Sequence, residues 1–146
     1  MYKKIVVPLD GSPLAEAVLP HVESLASLEG AEVFLMMVVV KPVAEFSLAV
    51  PTMVPDVIDT LESETLTYIQ SIRARLQKAG IRTSILAREG PVAETILEVC
   101  SELHADLIAM STHGRSGVSR WLMGSVAEQI SKQSSVPVLL IHPKPD

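Results

Sequence analysis

The sequence predicts a doubly wound α/β domain. It has a five-stranded parallel sheet in the order 3-2-1-4-5 with helices on both faces, an arrangement of the Rossmann-like kind. Three observations carry this. Short apolar runs alternate with segments of helical period in the order β-α-β-α-β-α-β-α-β, the pattern of parallel sheets. The central runs are continuously apolar rather than alternating, as strands covered on both faces are. The 146 residues suit a single domain, 1–146, large enough to bury a core without staples. Right-handed crossovers then limit the windings open to such a chain.

The elements follow in order. Ile5-Val6-Val7 marks a first buried strand, ended by Pro8-Leu9-Asp10-Gly11-Ser12-Pro13. Ser12 is placed to cap a helix with Pro13 at its first position. Leu14, Ala17, Val18, Val22, Leu25 and Ala26 recur at helical spacing, and Pro20 inside that pattern predicts a kink, because its ring crowds the Glu16 carbonyl. Gly30 ends the helix, and residues 32–40 form a second strand, apolar from Val33 onward. Residues 41–55, oily and carrying Pro42, Pro51 and Pro55, read as a loop. A long helix over 56–79 follows, with Val57, Leu61, Ile69, Ile72 and Leu76 on one face, closed by Gly80. A third strand is expected over 81–88. The helix after Gly90-Pro91 turns Val92, Ile96, Val99 and Leu103 inward. A fourth strand over 106–110, a loop over 111–123, a short helix over 125–133 and a last strand over 136–141 complete the chain.

Composition narrows the function classes. The formal charge is −5, which disfavours a nucleic-acid partner held on a basic face. No apolar run approaches the length of a membrane span, and the first apolar stretch is too short for a secretion signal. Cys100 is the single cysteine, so no disulfide can form within the chain. Its position on the inner face of the third helix makes it a core residue. The expected location is the cytoplasm.

In a sheet of this order the strand sequence reverses between the first and fourth strands, and ligands sit outside the carboxyl ends at that reversal. Two segments meet there, Pro8 to Ser12 and Ser111 to Ser125. The second places Gly114, Gly117 and Gly124 between a strand and a helix, together with Arg115 and Arg120, and residues 107–127 contain no carboxylate. Glycines let backbone N–H groups approach a phosphate, and the helix start adds unpaired N–H groups and a positive dipole end. The plainer alternative is equally open on the residues alone: Ser125 and Glu128 fit a capping box that needs no ligand, and glycines after a strand are often simple turns. A valine at Gly124 is expected to block phosphate approach and leave the core intact.

The spacing resembles the signature of the universal stress protein family: glycine, two residues, glycine, nine residues, glycine, then serine or threonine. Gly114, Gly124 and Ser125 match it, and Ser111 stands where the first glycine would be. Ile5-Val6-Val7-Pro8-Leu9-Asp10-Gly11-Ser12 is similar to the family's first strand and its aspartate, and Val136-Pro137-Val138-Leu139-Leu140-Ile141 to its last strand. The likeness covers essentially the whole chain. It implies an ATP site in which Gly114, Gly124 and Ser125 cradle the phosphates, with the Val126 N–H beside them. Asp10, flanked by Pro8 and Leu9, would hold the ribose or adenine end, and Val38 would touch the base. Met110, Ser111, His113, Arg115 and Gly117 complete the candidate nucleotide-binding set. The resemblance also implies a homodimer built partly through the last strand.

Taken singly, Asp10 is either a ligand for ribose or a cap for its own turn. His113 is either a phosphate contact, a base or a ring that satisfies a loop carbonyl, the last being favoured because no partner for catalysis is visible. Met36 and Met37 read as packing. Trp121 is open between covering a ligand, packing beneath the loop and joining an interface. No Gly-x-x-x-x-Gly-Lys-Ser/Thr loop is present, and Asp10 is the one obvious carboxylate at the predicted cleft. Any Mg²⁺ would be carried by the nucleotide. The leading expectation is therefore a nucleotide-dependent regulator in stress response with at most slow hydrolysis and no catalytic residue. The second is a dimeric interaction module that binds no nucleotide. The third and weakest is an enzyme of the nucleotidyl-transfer kind.

Overall fold

The computed structural model describes residues 1–40, 63–113 and 123–144. Its elements are β1 (Lys4–Pro8), a 3₁₀ turn (Ala15–Val18), α1 (Leu19–Glu29), β2 (Glu32–Val39), α2 (Ser63–Lys78), β3 (Thr83–Glu89), α3 (Val92–Leu103), β4 (Leu107–Ser111), α4 (Ser125–Gln133) and β5 (Val138–Ile141). The five strands form one sheet in the order β3-β2-β1-β4-β5, every pairing parallel. The loop expected over 41–55, and the start of the long helix with Val57 and Leu61, lie outside the described residues.

β1 is central, and its Ile5, Val6 and Val7 have no exposed surface. Side chains alternate across a strand, so the run feeds two cores at once. Ile5 and Val7 join Val33 and Leu35 against Val22 and Ala26 of α1 and Ile69, Ile72 and Leu76 of α2. Val6 joins Phe34, Met36 and Ile108 against Ile96, Val99 and Cys100 of α3 and Ala127 and Ile130 of α4. Burial pushes the Cys100 thiol up to about 11, as its core placement requires.

Two lysines fasten β1 to both layers. The Lys3 ammonium donates to the Glu29 carbonyl at the end of α1 (2.6 Å), and that of Lys4 to the Leu103 carbonyl at the end of α3 (2.9 Å). Each cation thus meets the negative end of a helix dipole. Asp106, just before β4, accepts the backbone N–H groups of both Lys3 and Lys4, each at 2.9 Å. These two bonds, that of Lys4 first, hold its carboxyl below the usual range.

The first helix departs from expectation. The helical segment is divided next to Pro20 rather than being one α-helix. A 3₁₀ turn comes first, and α1 begins at Leu19 with Pro20 in its opening turn. Val18 and Leu19 both hold helical dihedrals, so the turn runs directly into α1, and the proline falls where the chain passes from the one to the other. Ser12 acts on the 3₁₀ turn rather than on α1, its hydroxyl and its carbonyl both accepting from the Ala15 N–H. Strand boundaries shift by small amounts. β5 starts after Pro137, which has no N–H for the ladder, although its carbonyl still accepts from Ile108.

Candidate functional site

A cleft of about 650 Å³ opens at the carboxyl ends of the strands, over the reversal between β1 and β4. Parallel strands all end on this side, so the described residues at the ends of β1, β2 and β4 and the start of α4 meet there. Pro8, Leu9 and Asp10 come from the end of β1, Val38 from β2, Met110, Ser111 and His113 from the end of β4, and Gly124, Ser125 and Val126 from the start of α4. The structure therefore brings ten of the expected residues around one cavity. Gly114, Arg115 and Gly117 lie outside the described residues, as do Arg120 and Trp121.

Asp10 has a turn role that is visible directly. Its Oδ1 accepts the Ser12 N–H at 2.9 Å, closing an Asx turn around Gly11, whose φ of 84° is the left-handed conformation that suits glycine. The same carboxylate lines the cleft, so capping and ligand contact are not exclusive. Asp10 and His113 are the titratable side chains that line the cleft among the described residues. Beside the β1 loop, the Tyr68 hydroxyl of α2 is held protonated, first by burial and then by the Glu16 and Asp10 carboxylates.

The β4 end is organised by its hydroxyls. Ser111, in place of a glycine, turns its hydroxyl onto its own loop, donating to the His113 carbonyl at 2.9 Å and accepting the His113 N–H at 3.4 Å. Thr112, buried and unforeseen, is the junction. Its N–H donates to Ile141 of β5 at 2.9 Å, and its carbonyl accepts the Gly124 N–H at 2.8 Å. Its hydroxyl lies 3.0 Å from Nδ1 of His113 and 3.3 Å from Nδ1 of His142. His113 thus does have a partner, a neighbouring threonine.

Two readings of α4 change. The capping box does not form: Gly124 is the N-cap residue, Ser125 is the first helical residue, and the Glu128 carboxylate pairs with Lys132 at 2.8 Å. The Ser-x-x-Glu spacing is satisfied one position too late in the helix for the box to close. Gly124 also has a second duty. Its φ of −60° and ψ of 150° are ordinary, but an added Cβ would lie 2.9 Å from the Thr112 carbonyl oxygen. A valine there cannot leave the framework intact, contrary to expectation.

Without the box, the start of α4 carries no side-chain cap among the described residues. The first intrahelical bond is made by the Glu128 N–H to the Gly124 carbonyl. The amides of Ser125, Val126 and Ala127 precede it and open beside the cleft. Amides that precede the first intrahelical bond and a positive dipole end make this the anion-seeking end of the cavity, the first-turn carboxylate of Glu128 being paired with Lys132. The floor is apolar, with Met36, Met37, Val39, Val92 and Ile96. Met36 and Met37 are core residues, as read, and also part of this floor. The floor was legible only through strand order, because every strand end on this side must face the cleft.

The chain matches the model of the Universal stress protein family over residues 1–142. It is 30% identical to Universal stress protein MJ0577 of Methanocaldococcus jannaschii, an alignment spanning 99% of this chain and 97% of the relative. A solved structure of MJ0577 superposes with a TM-score of 0.82 at 30% identity, covering 100% of this chain and 99% of the other. A universal stress protein solved in complex with cAMP superposes with a TM-score of 0.69 at 21% identity, covering 98% of each chain. One from Archaeoglobus fulgidus in complex with dAMP gives 0.63 at 20% identity, covering 96% of this chain and 98% of the other. At those identities the last two bear on the fold alone. Fold, strand order and family match agree, and the chain belongs to the universal stress protein family.

Proposed function

We propose that the cleft binds an adenine nucleotide, with ATP as the principal ligand, and that occupancy rather than turnover is the output: a nucleotide-dependent regulator in stress response with at most slow hydrolysis. The observation that carries this is the uncapped first turn of α4 opening into the same cavity as Asp10. In this reading Ser125 and Val126 take the phosphates, together with Gly114, Arg115 and Gly117. Asp10 takes the ribose or adenine end between Pro8 and Leu9, and Val38 meets the base. Met110, Ser111 and His113 form the wall between them. Proteins of this same fold have been solved with cAMP and dAMP, the class of ligand that this reading assigns to the cleft.

Among the described residues no group of three or more His, Cys, Asp or Glu could hold a metal ion. In this reading a Mg²⁺ rides on the nucleotide's own oxygens. We also propose that two copies associate through β5. It pairs with β4 on one side, and Val138, Leu139, Leu140 and Ile141 all keep partial exposure. No helix among the described residues is long and apolar enough to cross a membrane. A cytoplasmic location suits the lone Cys100 thiol.

Titration calorimetry of ATP, with and without Mg²⁺, on protein stripped of nucleotide tests the binding. Rapid turnover that disappears on Asp10→Ala would overturn the regulator reading. A second reading, the interaction module without nucleotide, draws on Gly124 and Ser111, since contacts within the protein account for both. Nucleotide retained through purification counts against it.

A further inference from the structure

The cations of this chain are unevenly placed. Residues 65–88 hold five of its 12 Lys and Arg and none of its 17 Asp and Glu, inside a chain of formal charge −5. They form most of α2 and nearly all of β3, the strand at the edge of the sheet opposite β5. One of the five is spent, since Arg75 pairs with Glu23 of α1. Arg73, Lys78, Arg82 and Arg88 make no ion pair among the described residues, and the last three are exposed.

The edge itself can be read from the ladder. Along a strand the main-chain N–H and C=O groups of successive residues point to alternate sides. The Arg82 carbonyl accepts from Val33, and the Gly90 N–H donates to Val39, so the even-numbered residues of β3 face β2. Thr83, Ile85 and Ala87 turn their main-chain groups outward, where no strand among the described residues takes them. Two of these carbonyls are covered by side chains: that of Thr83 accepts Nε2 of Gln77 at 3.4 Å, and that of Ala87 accepts Nη1 of Arg88 at 3.1 Å. The Gln77 bond also shows which flank of α2 overhangs the edge. Arg73, one turn earlier, shares that flank, whereas Arg75 faces α1. Ile85 and Leu86 pack into opposite cores, so Arg82 and Arg88 share the face of Leu86 while Arg73 lies over the other. Cations therefore flank the edge on both faces.

We propose that the β3 edge is a docking strip for an acidic, extended segment of a partner protein, which adds as a further strand outside β3. Main-chain bonds to Thr83, Ile85 and Ala87 hold it, and its carboxylates meet Arg73, Arg82 and Arg88. Arg88 is the latch: it covers the Ala87 carbonyl while the edge is empty and turns to a carboxylate when the strand arrives. Charge complementarity selects the occupant, because β3 of a second copy would set cations against cations. The carboxylates of the two outer strands, Glu32 at the start of β2 and Glu89 at the end of β3, stand at the ends of the strip. None of the cations lines the cleft, so the proposal is independent of the nucleotide reading.

The test is a fluorescent peptide of alternating Glu and Val, titrated into the full chain at low salt by anisotropy, with backbone amide exchange followed by NMR. The expected result is binding that weakens with salt and slows exchange at the Ile85 and Ala87 amides. Arg82→Glu combined with Arg88→Glu, both at exposed sites, should weaken it by about tenfold or more. A copy of the peptide N-methylated at alternate amides along one edge keeps every charge but cannot complete the ladder, and it should not bind. Wild-type protein that takes up no peptide overturns the proposal. So does binding that the methylated copy or single-stranded DNA matches, binding that survives the double substitution, or protection that falls on β5 instead. Should the double variant fail to fold, the methylated copy on wild-type protein still decides.

Discussion

Gly124 and Thr112 are in contact through their backbones: the Gly124 N–H donates to the Thr112 carbonyl at 2.8 Å, and a Cβ on Gly124 would lie 2.9 Å from that same oxygen. The glycine lets α4 start directly against the end of β4, which holds the first helical turn at the cleft. The position is needed by the framework whether or not a phosphate ever reaches it.

Gly124→Ala should therefore destabilise the protein. The backbone oxygen cannot swing aside as a flexible side chain would, and overpacking of this kind costs about 1–3 kcal/mol. Urea denaturation measures it. An alanine variant as stable as wild type would show that the two segments separate without cost. A loss of ligand binding in this variant cannot by itself be assigned to phosphate approach.

Pro20→Ala should change stability little, by about 1 kcal/mol or less, because proline at a compatible helix start mainly restricts the unfolded chain. A proline inside a continuous helix would behave differently, and its replacement would stabilise by roughly 3 kcal/mol. Thermal or chemical denaturation separates these outcomes. A large gain would contradict the division into a 3₁₀ turn and α1.

Asp106 should contribute to the acid limb of the stability profile. Its carboxyl is lowered in the folded state by the backbone N–H groups of Lys4 and Lys3. Its contribution is therefore fully present above the unfolded carboxylate value of about 3.9 and is lost as pH falls through the lower folded value. Asp106→Ala should be less stable than wild type at neutral pH, and the two should converge in acid. Denaturation curves at several pH values check this, and a constant difference down through the acid limb would contradict it.

Cys100 should resist thiol reagents in the native protein. With burial holding its thiol near 11, almost no thiolate exists at neutral pH. Labelling should follow global unfolding and accelerate with denaturant. Prompt modification of the native protein would contradict its core placement.

The fold was legible because strand and helix periods are written in the apolar residues. The continuous runs Ile5-Val6-Val7 and Val33 to Val39 announced strands covered on both faces, and Ile5 to Val7 and Val33 to Met37 became core, while Val38 and Val39 line the cleft. Strand order located the cleft, since the reversal beside β1 leaves one place where loops converge. Details that depend on a single hydrogen bond were not legible. Pro20 announced a disruption, but not its form, a 3₁₀ turn passing into α1. Ser125 and Glu128 had the spacing of a capping box while sitting one position too far into the helix. A glycine required by its own neighbour's carbonyl looks the same in sequence as one required by a phosphate, so the role of Gly124 needed the position of Thr112. Thr112 itself gave no periodic or motif signal. Its importance lies in what β5 and α4 bring to it.

The central claim is that the first turn of α4 receives an anion, and Ser125→Asp tests it most directly. Ser125 is exposed, and a carboxylate in a first turn favours the helix dipole, stabilising it by about 0.3–1 kcal/mol. The same carboxylate would meet a bound phosphate at close range, where like-charge repulsion should weaken binding by about tenfold or more. Calorimetric titration of ATP is therefore expected to show binding to wild type, a large loss in Ser125→Asp and a thermal midpoint that is unchanged or raised. Wild-type protein free of nucleotide that takes up no ATP, or a variant that binds as tightly as wild type, would contradict the account.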